Sequence, residues 1–117
     1  MKNNKNTQKQ TVYVVMVDDV ELDGWVERIQ DCTVWAAKEA AIKQVGRVAN
    51  GYKEGFINEY IRNGAVSFDE KNLQENPYIM IESDESFRFY ERDSYNDNHI
   101  EVWILEKEIG GLSWIIK

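Results

Sequence analysis

Thr33–Ala49 reads T-V-W-A-A-K-E-A-A-I-K-Q-V-G-R-V-A. Val34, Ala37, Ala41, Val45 and Val48 recur three or four residues apart, the spacing that puts side chains on one face of an α-helix. Trp35, Ala40 and Ile42 widen that stripe. The alanines raise intrinsic helix propensity. The Thr33 hydroxyl is placed to cap the first turn by accepting a backbone N–H that has no partner within the helix. Gly46 weakens the helix by up to about 1 kcal/mol relative to alanine, and a close approach of helix to strand would account for it. Strand-like runs lie on both sides of this stretch, so its apolar stripe is expected to cover a sheet.

Upstream, Thr11–Asp19 (T-V-Y-V-V-M-V-D-D) is β-branched and aromatic with apolar residues in both phases, the pattern of a strand central in its sheet or covered on both faces. Val20–Gly24 ends in an Asp-Gly turn signal, and Trp25–Cys32 reads as a half-exposed strand paired back on the first. Downstream, Asn50-Gly51 reads as a helix stop. Tyr52–Asn63 resumes helical spacing through Phe56, Ile57, Tyr60 and Ile61, so two helices are expected rather than one rod. Asn63-Gly64 closes the second with a left-handed C-terminal residue. Ser67-x-x-Glu70 matches a capping box and predicts a short helical turn within Ser67–Asn76, ended by Pro77. Tyr78–Ser83 and Ser86–Arg92 read as strands about an Asp84-Glu85 turn. Asp93–Asn98 is a polar loop, and His99–Ile109 is a long strand with alternating Ile100, Val102 and Ile104. Gly110-Gly111 breaks the chain before the apolar ending Leu112–Lys117.

The expected fold class is therefore α+β: a two-layer sandwich in ββ-αα-βββ order, with an antiparallel sheet of about five strands and helices packed on one face. Residues 1–10 are expected to form a disordered polar tail, and residues 11–117 a single domain.

With 117 residues, 43% of them hydrophobic, the chain is long enough for one packed core. Its single cysteine, Cys32, has no internal disulfide partner, which fits a reducing, cytoplasmic compartment. No apolar run approaches the ~18–20 residues that cross a bilayer, and the polar N-terminus does not read as a signal peptide. A net charge of −7 disfavours direct nucleic-acid binding and anionic membranes, and leaves a basic protein as the electrostatically favoured partner.

No phosphate-binding glycine motif and no calcium-loop motif occurs. Asp18-Asp19 and Asp84-Glu85 could face a hard cation, but turn chemistry accounts for both pairs. Cys32 and His99 form a formally possible nucleophile–base pair, but a small, partly buried apolar residue at a strand end and a surface histidine are the better account of them. No catalytic, cofactor or metal site is expected.

Charge is unevenly placed. Asp18–Asp31 carries six acids against Arg28, and Glu82–Glu108 carries nine against Arg88, Arg92 and Lys107. Thr33–Gly64 is instead net basic, with three acids against five bases. The acids therefore belong to the hairpins. Tyr90 and Trp103 fall on phases opposite Phe89 and Val102, so an acidic, aromatic sheet face is expected to bind protein. Its candidate residues are Asp84, Glu85, Tyr90, Glu91, Asp93, Glu101 and Trp103. In size, in acidity and in the segment E-S-D-E-S-F-R-F-Y-E-R-D-S-Y-N-D-N-H-I-E (Glu82–Glu101), the chain resembles small phage-encoded inhibitors of host defence, anti-CRISPR proteins among them. The resemblance implies a non-catalytic inhibitor or regulator of a basic, nucleic-acid-handling protein, and carries over no individual residue. Two other readings are a small enzyme or ligand-binding domain with a pocket between helices and sheet, and a structural subunit that self-assembles, forming a homodimer through Leu112–Lys117.

Overall fold

The computed structural model describes residues 9–20, 28–71, 76–93 and 99–110. Strand β1 (Lys9–Val20) lies against β6 (His99–Gly110) over its full length, antiparallel, from Lys9 opposite Gly110 to Val20 opposite His99. On its other side it pairs with β2 (Arg28–Trp35), from Tyr13 opposite Trp35 to Val20 opposite Arg28. The two-sided apolarity of β1 thus reflects a strand with a neighbour on each edge. Strand β5 (Ser86–Glu91) pairs with β6, and β4 (Tyr78–Glu82) with β5, both antiparallel.

The last strand, β3 (Val66–Ser67), pairs parallel with β4. The protein is α+β, but its sheet is mixed and six-stranded, in the order β2-β1-β6-β5-β4-β3, where five antiparallel strands were expected. The capping-box reading of Ser67 gives way to this strand. Val66 and Ser67 are buried beside Tyr78 and Ile79, and the Ser67 hydroxyl accepts the Asp69 N–H at 3.2 Å to close a local turn. Residues 72–75 of the expected helical turn lie outside the described residues. So do residues 1–8 of the expected tail, the Asp23-Gly24 turn and the ending 112–117. Lys9 and Gln10, assigned to the tail from sequence, belong to β1.

The helix starts later than its sequence suggests. Thr33, Val34 and Trp35 extend β2, with Trp35 opposite Tyr13 and Val34 opposite Val14. Their period is two, not 3.6, so Val34 leaves the helical stripe and is 62% exposed on the far side of the sheet. Thr33 accepts a hydrogen bond from Trp35 Nε1 at 2.7 Å and caps no helix. Helix α1 (Lys38–Tyr52) begins after an extended Ala37, whose carbonyl accepts the Ala41 N–H. Asn50-Gly51 does not stop it. The chain runs on through a π-helical turn (Lys53–Ile57) into α2 (Asn58–Arg62), with Lys53 and Asn58 both right-handed helical.

The π turn has a packing reason. Ala41, Val45 and Ala49 recur every four residues and are each at most 2% exposed. At 3.6 residues per turn, Ile57 would arrive about 80° beyond Ala49. A wider turn rewinds this drift, and Ile57 is fully buried on the same side. The end of the helical rod is as read from sequence: Gly64 has φ +74°, its N–H donates to Ile61 O, and the Ala65 N–H donates to Tyr60 O.

The core lies between this rod and one face of the sheet. Ala41, Val45, Ala49 and Ile57 meet Val15, Phe87, Phe89, Ile100 and Val102. Tyr60 and Tyr78 stack at 4.7 Å, Tyr78 and Phe89 at 5.3 Å, and Phe56 packs edge-on to Phe89 at 6.1 Å. Such pairs contribute about 0.5–1.5 kcal/mol beyond the area they bury. Tyr52 closes the far end of α1 by donating to Asp19 Oδ2 at 2.9 Å. Burial first, then this hydrogen bond and the charges of Asp19 and Asp31, holds the Tyr52 phenol well above its ordinary pKa.

Gly46 is exposed, and a Cβ built there meets nothing within 4 Å, so no close approach explains it. Gly46→Ala should therefore stabilise the protein by up to about 1 kcal/mol, a rise of roughly 3–6 °C in melting temperature, while Gly64→Ala should lower it. Differential scanning calorimetry of the two variants checks both signs. Because folding favours the neutral Tyr52 phenol, its contribution is intact below about pH 10, where the unfolded chain titrates, and is lost as pH rises through the higher folded value. Urea midpoints measured between neutral pH and pH 11 should fall more steeply for the wild type than for Tyr52→Phe. Tyr78 and Tyr90, also raised chiefly by burial, keep part of the slope in the variant.

Candidate protein-binding face

The strand registers assign every side chain on the sheet to one of two faces. On the face opposite the helix, four transverse rows span three or more strands. The first is Val34–Val14–Leu105 and the second Cys32–Met16–Trp103–Ser86. The third is Gln30–Asp18–Glu101–Arg88–Ile81. The fourth runs from Val20 through His99, Tyr90 and Ile79 to Ser67. The first two rows make a contiguous, mostly apolar patch, in which Val34 is 62% and Leu105 37% exposed. The third row replaces it with charge, and the fourth is buried.

A cavity of about 280 Å³, open to solvent, crosses the boundary between patch and charge; it is lined by Met16, Val17, Asp18, Gln30, Asp31, Cys32 and Trp103. Met16 lies between Cys32 and Trp103 in its row. Asp31 sits on the edge strand and accepts the Cys32 N–H on Oδ1 at 2.8 Å. That bond places a carboxylate on the outermost strand, where charge discourages pairing with another sheet edge.

The polar rows are internally bonded. His99 Nε2 lies 3.1 Å from Asp18 Oδ2, with both side chains under 10% exposed. With Asp18 ionised, Nε2 carries the proton and donates. The Arg88 guanidinium meets Glu70 at 3.2 Å and lies 5.7 Å over the Tyr90 ring, and the Tyr90 hydroxyl donates to the same carboxylate. The Tyr90 phenol is raised by burial, then by the Glu70 charge and hydrogen bond, against the lowering effect of Arg88.

Of the residues proposed from sequence, Tyr90, Glu101 and Trp103 share this face, on the phase expected, while Phe89 and Val102 are core. Glu91, paired with Tyr78, points to the helix side. Asp84 and Glu85 sit in the β4–β5 turn, where Glu85 meets Lys38 at 3.3 Å, and Asp93 lies beyond the opposite end of β5. The seven residues therefore do not form one surface. Asp18 and Asp19 are no cation pair, since Asp18 faces His99 and Asp19 faces Tyr52 across the sheet. Cys32 and His99 are separated by two strand spacings and four residues, about 16 Å, so they form no nucleophile–base pair. Among the described residues no helix is long and apolar enough to cross a membrane, and no group of three or more His, Cys, Asp or Glu is placed to hold a metal ion.

Sequence reasoning missed the β2–β1 half of the site: Met16, Gln30 and Cys32, with Asp18 and Asp31 counted only as hairpin charge. The usable signal was the even phase of β1, Val14-x-Met16-x-Asp18, which changes from apolar to acidic within five residues. Searches against protein-family models, curated proteins and solved structures find no match to this chain.

His99→Ala would leave the Asp18 carboxylate buried without its imidazole donor. A loss of about 1–3 kcal/mol is expected by urea denaturation at neutral pH, larger than for His99→Gln, which keeps a donor.

Proposed function

We propose that the protein is a non-catalytic protein-binding module whose outer sheet face receives a basic partner. The observation that carries this reading is the join of an apolar patch, with Val34 and Leu105 exposed and Val14, Met16 and Trp103 half-buried, to a carboxylate-bearing row on the same sheet face. Contiguous apolar surface rimmed by polar groups marks interaction sites, with aromatic and Met side chains as anchors and charge as the steering element. A net charge of −7 favours a positively charged partner and opposes a nucleic acid. Proteins that handle nucleic acids present such basic surfaces, so the role proposed is that of an acidic inhibitor or regulator of one, of the anti-CRISPR type. The space between helix and sheet, by contrast, is filled by Phe87, Phe89, Ile57 and Val45, each at most 2% exposed, which weighs against a substrate pocket there.

Val34→Ser with Leu105→Ser removes the exposed part of the patch without touching the core. The double variant should keep its melting temperature within a few degrees and lose at least tenfold in affinity for a partner captured at low salt. The wild-type complex should also weaken as salt rises. Undiminished, salt-independent binding by the double variant, measured by surface plasmon resonance, would remove the reading.

A further inference from the structure

In an antiparallel sheet each residue directs both of its backbone groups to one neighbouring strand, and the next residue directs them to the other. Two bonds fix that alternation across the protein. The Ser83 N–H donates to Ser86 O at 2.9 Å, and the Arg92 N–H donates to Pro77 O at 2.8 Å. Ser86, Arg88 and Tyr90 therefore bond to β4, while Phe87 and Phe89 bond to β6. Carried through the registers, Glu101 and Trp103 bond to β1, and Val15 and Val17 bond to β2. On β2 itself, Asp31 and Thr33 bond to β1, so Gln30, Cys32 and Val34 direct their backbone groups away from the sheet. The 2.8 Å bond from the Cys32 N–H to Asp31 Oδ1 agrees, because an N–H held in the ladder would not turn to a side chain of its own strand.

This edge is open. Among the described residues no strand lies beyond β2, and Gln30, Asp31, Cys32 and Val34 are all exposed. The opposite edge of the sheet, β3, is only two residues long, and both are buried. A row of unpaired backbone groups is a template for an added strand. Asp31 selects which strand is added. A second copy pairing antiparallel through the middle of β2 would bring two Asp31 carboxylates together, and such like charges oppose the contact. A strand with a cation at that position meets the opposite charge instead. The cation is not welcome beside Trp35 on the same phase, because Arg47 already lies 5.7 Å over that ring. On the other phase, Val34 and Cys32 stand at the ends of the two apolar rows, so apolar side chains beside them extend the patch.

We propose that the free edge of β2 receives an extended segment of the basic partner as an added strand, with a lysine or arginine beside Asp31 and apolar side chains beside Cys32 and Val34. The proposal rests on the reading of the adjoining face as a protein-binding surface, and it names the part of the partner that binds: an extended segment in which cationic or polar residues alternate with apolar, β-branched ones.

The test is an NMR titration of the full-length, 15N-labelled protein at low salt with the capped peptide Ile-Thr-Val-Lys-Val, which runs antiparallel to β2 with its lysine opposite Asp31. A second peptide carries glutamate in place of the lysine. A third carries N-methyl groups on its valines, which removes donors facing β2 and keeps every side chain. The expected result is protection of the Gln30 and Val34 amides from hydrogen exchange, since both point outward and gain acceptors only from a strand at this edge. N-methylation should lower affinity about tenfold, and glutamate about threefold. Asp31→Lys should reverse the preference between the lysine and glutamate peptides. Gln30→Pro removes an outward N–H and no ladder bond, so it should leave the protein folded and weaken binding. Shifts at Val14, Leu105 and the Trp103 indole without protection at Gln30 and Val34 would overturn the edge while leaving the protein-binding face in place. Equal affinity for the lysine and glutamate peptides would overturn the cationic segment. Sedimentation as a dimer that Gln30→Pro dissociates would give the edge to a second copy and overturn the proposal, as would the absence of any peptide response.

Discussion

Pairing of β1 with β6 brings together segments near the two ends of the chain, through twelve residue pairs from Lys9–Gly110 to Val20–His99. Both surfaces of the protein depend on its register. One phase puts Val15 beside Ile104 and Val17 beside Val102, under the helix. The other puts Met16 beside Trp103 and Asp18 beside Glu101, away from it. A slip of one residue would exchange the two sets, moving carboxylates into the core and valines into water. The buried Asp18–His99 bond adds a polar check on that register, since only the observed alignment brings the two side chains within 3.1 Å. Because both strands are long, the pairing also serves as the base onto which β2 and β5 add from either side.

The helical rod answers to the sheet rather than to its own propensity. Three glycines, Gly46, Gly51 and Gly55, lie within it, and a run so weakened persists because its apolar side is buried. Tyr52 bonded to Asp19 anchors the end of α1 on β1, and Tyr60 stacked on Tyr78 anchors the following turn on β4. Between these two anchors the π turn takes up the mismatch between a four-residue apolar repeat and a 3.6-residue helix. The exposed ion pairs Lys38–Glu85 and Lys53–Glu82 tie the β4 end and the β4–β5 turn to the same rod and contribute little in water.

Several parts of this architecture were legible in advance, for local reasons. The left-handed Gly64, the Asp84-Glu85 turn and the alternation of β6 each depend on residues within a few positions of one another. The misreadings have a common physical cause. Thr33-Val34-Trp35 fits a helical stripe and a strand equally well in isolation, and the pairing with Val14 and Tyr13 decided between them. Ser67-x-x-Glu70 has capping-box spacing, yet β4 offered its Val66 and Ser67 a strand partner and Glu70 went to Arg88 and Tyr90. On the candidate face, alternation alone correctly set Tyr90 and Trp103 apart from Phe89 and Val102. It could not show that Cys32, Met16 and Trp103 fall in one row, because that needs the relative register of three strands.

The amino-acid sequence by itself determined the composition of the layers: which segments alternate, which carry helical spacing, and that acid collects in the hairpins while the helical block is basic. Those properties follow from side-chain chemistry and short-range periodicity, which need no partner to be read. Only the tertiary structure decided the mixed six-stranded order, the late start of the helix, the π turn and the cavity lined by Met16, Asp31 and Trp103. Each of these is settled by contacts between residues distant in the chain, where the register of one strand against another selects among local conformations that differ little in energy.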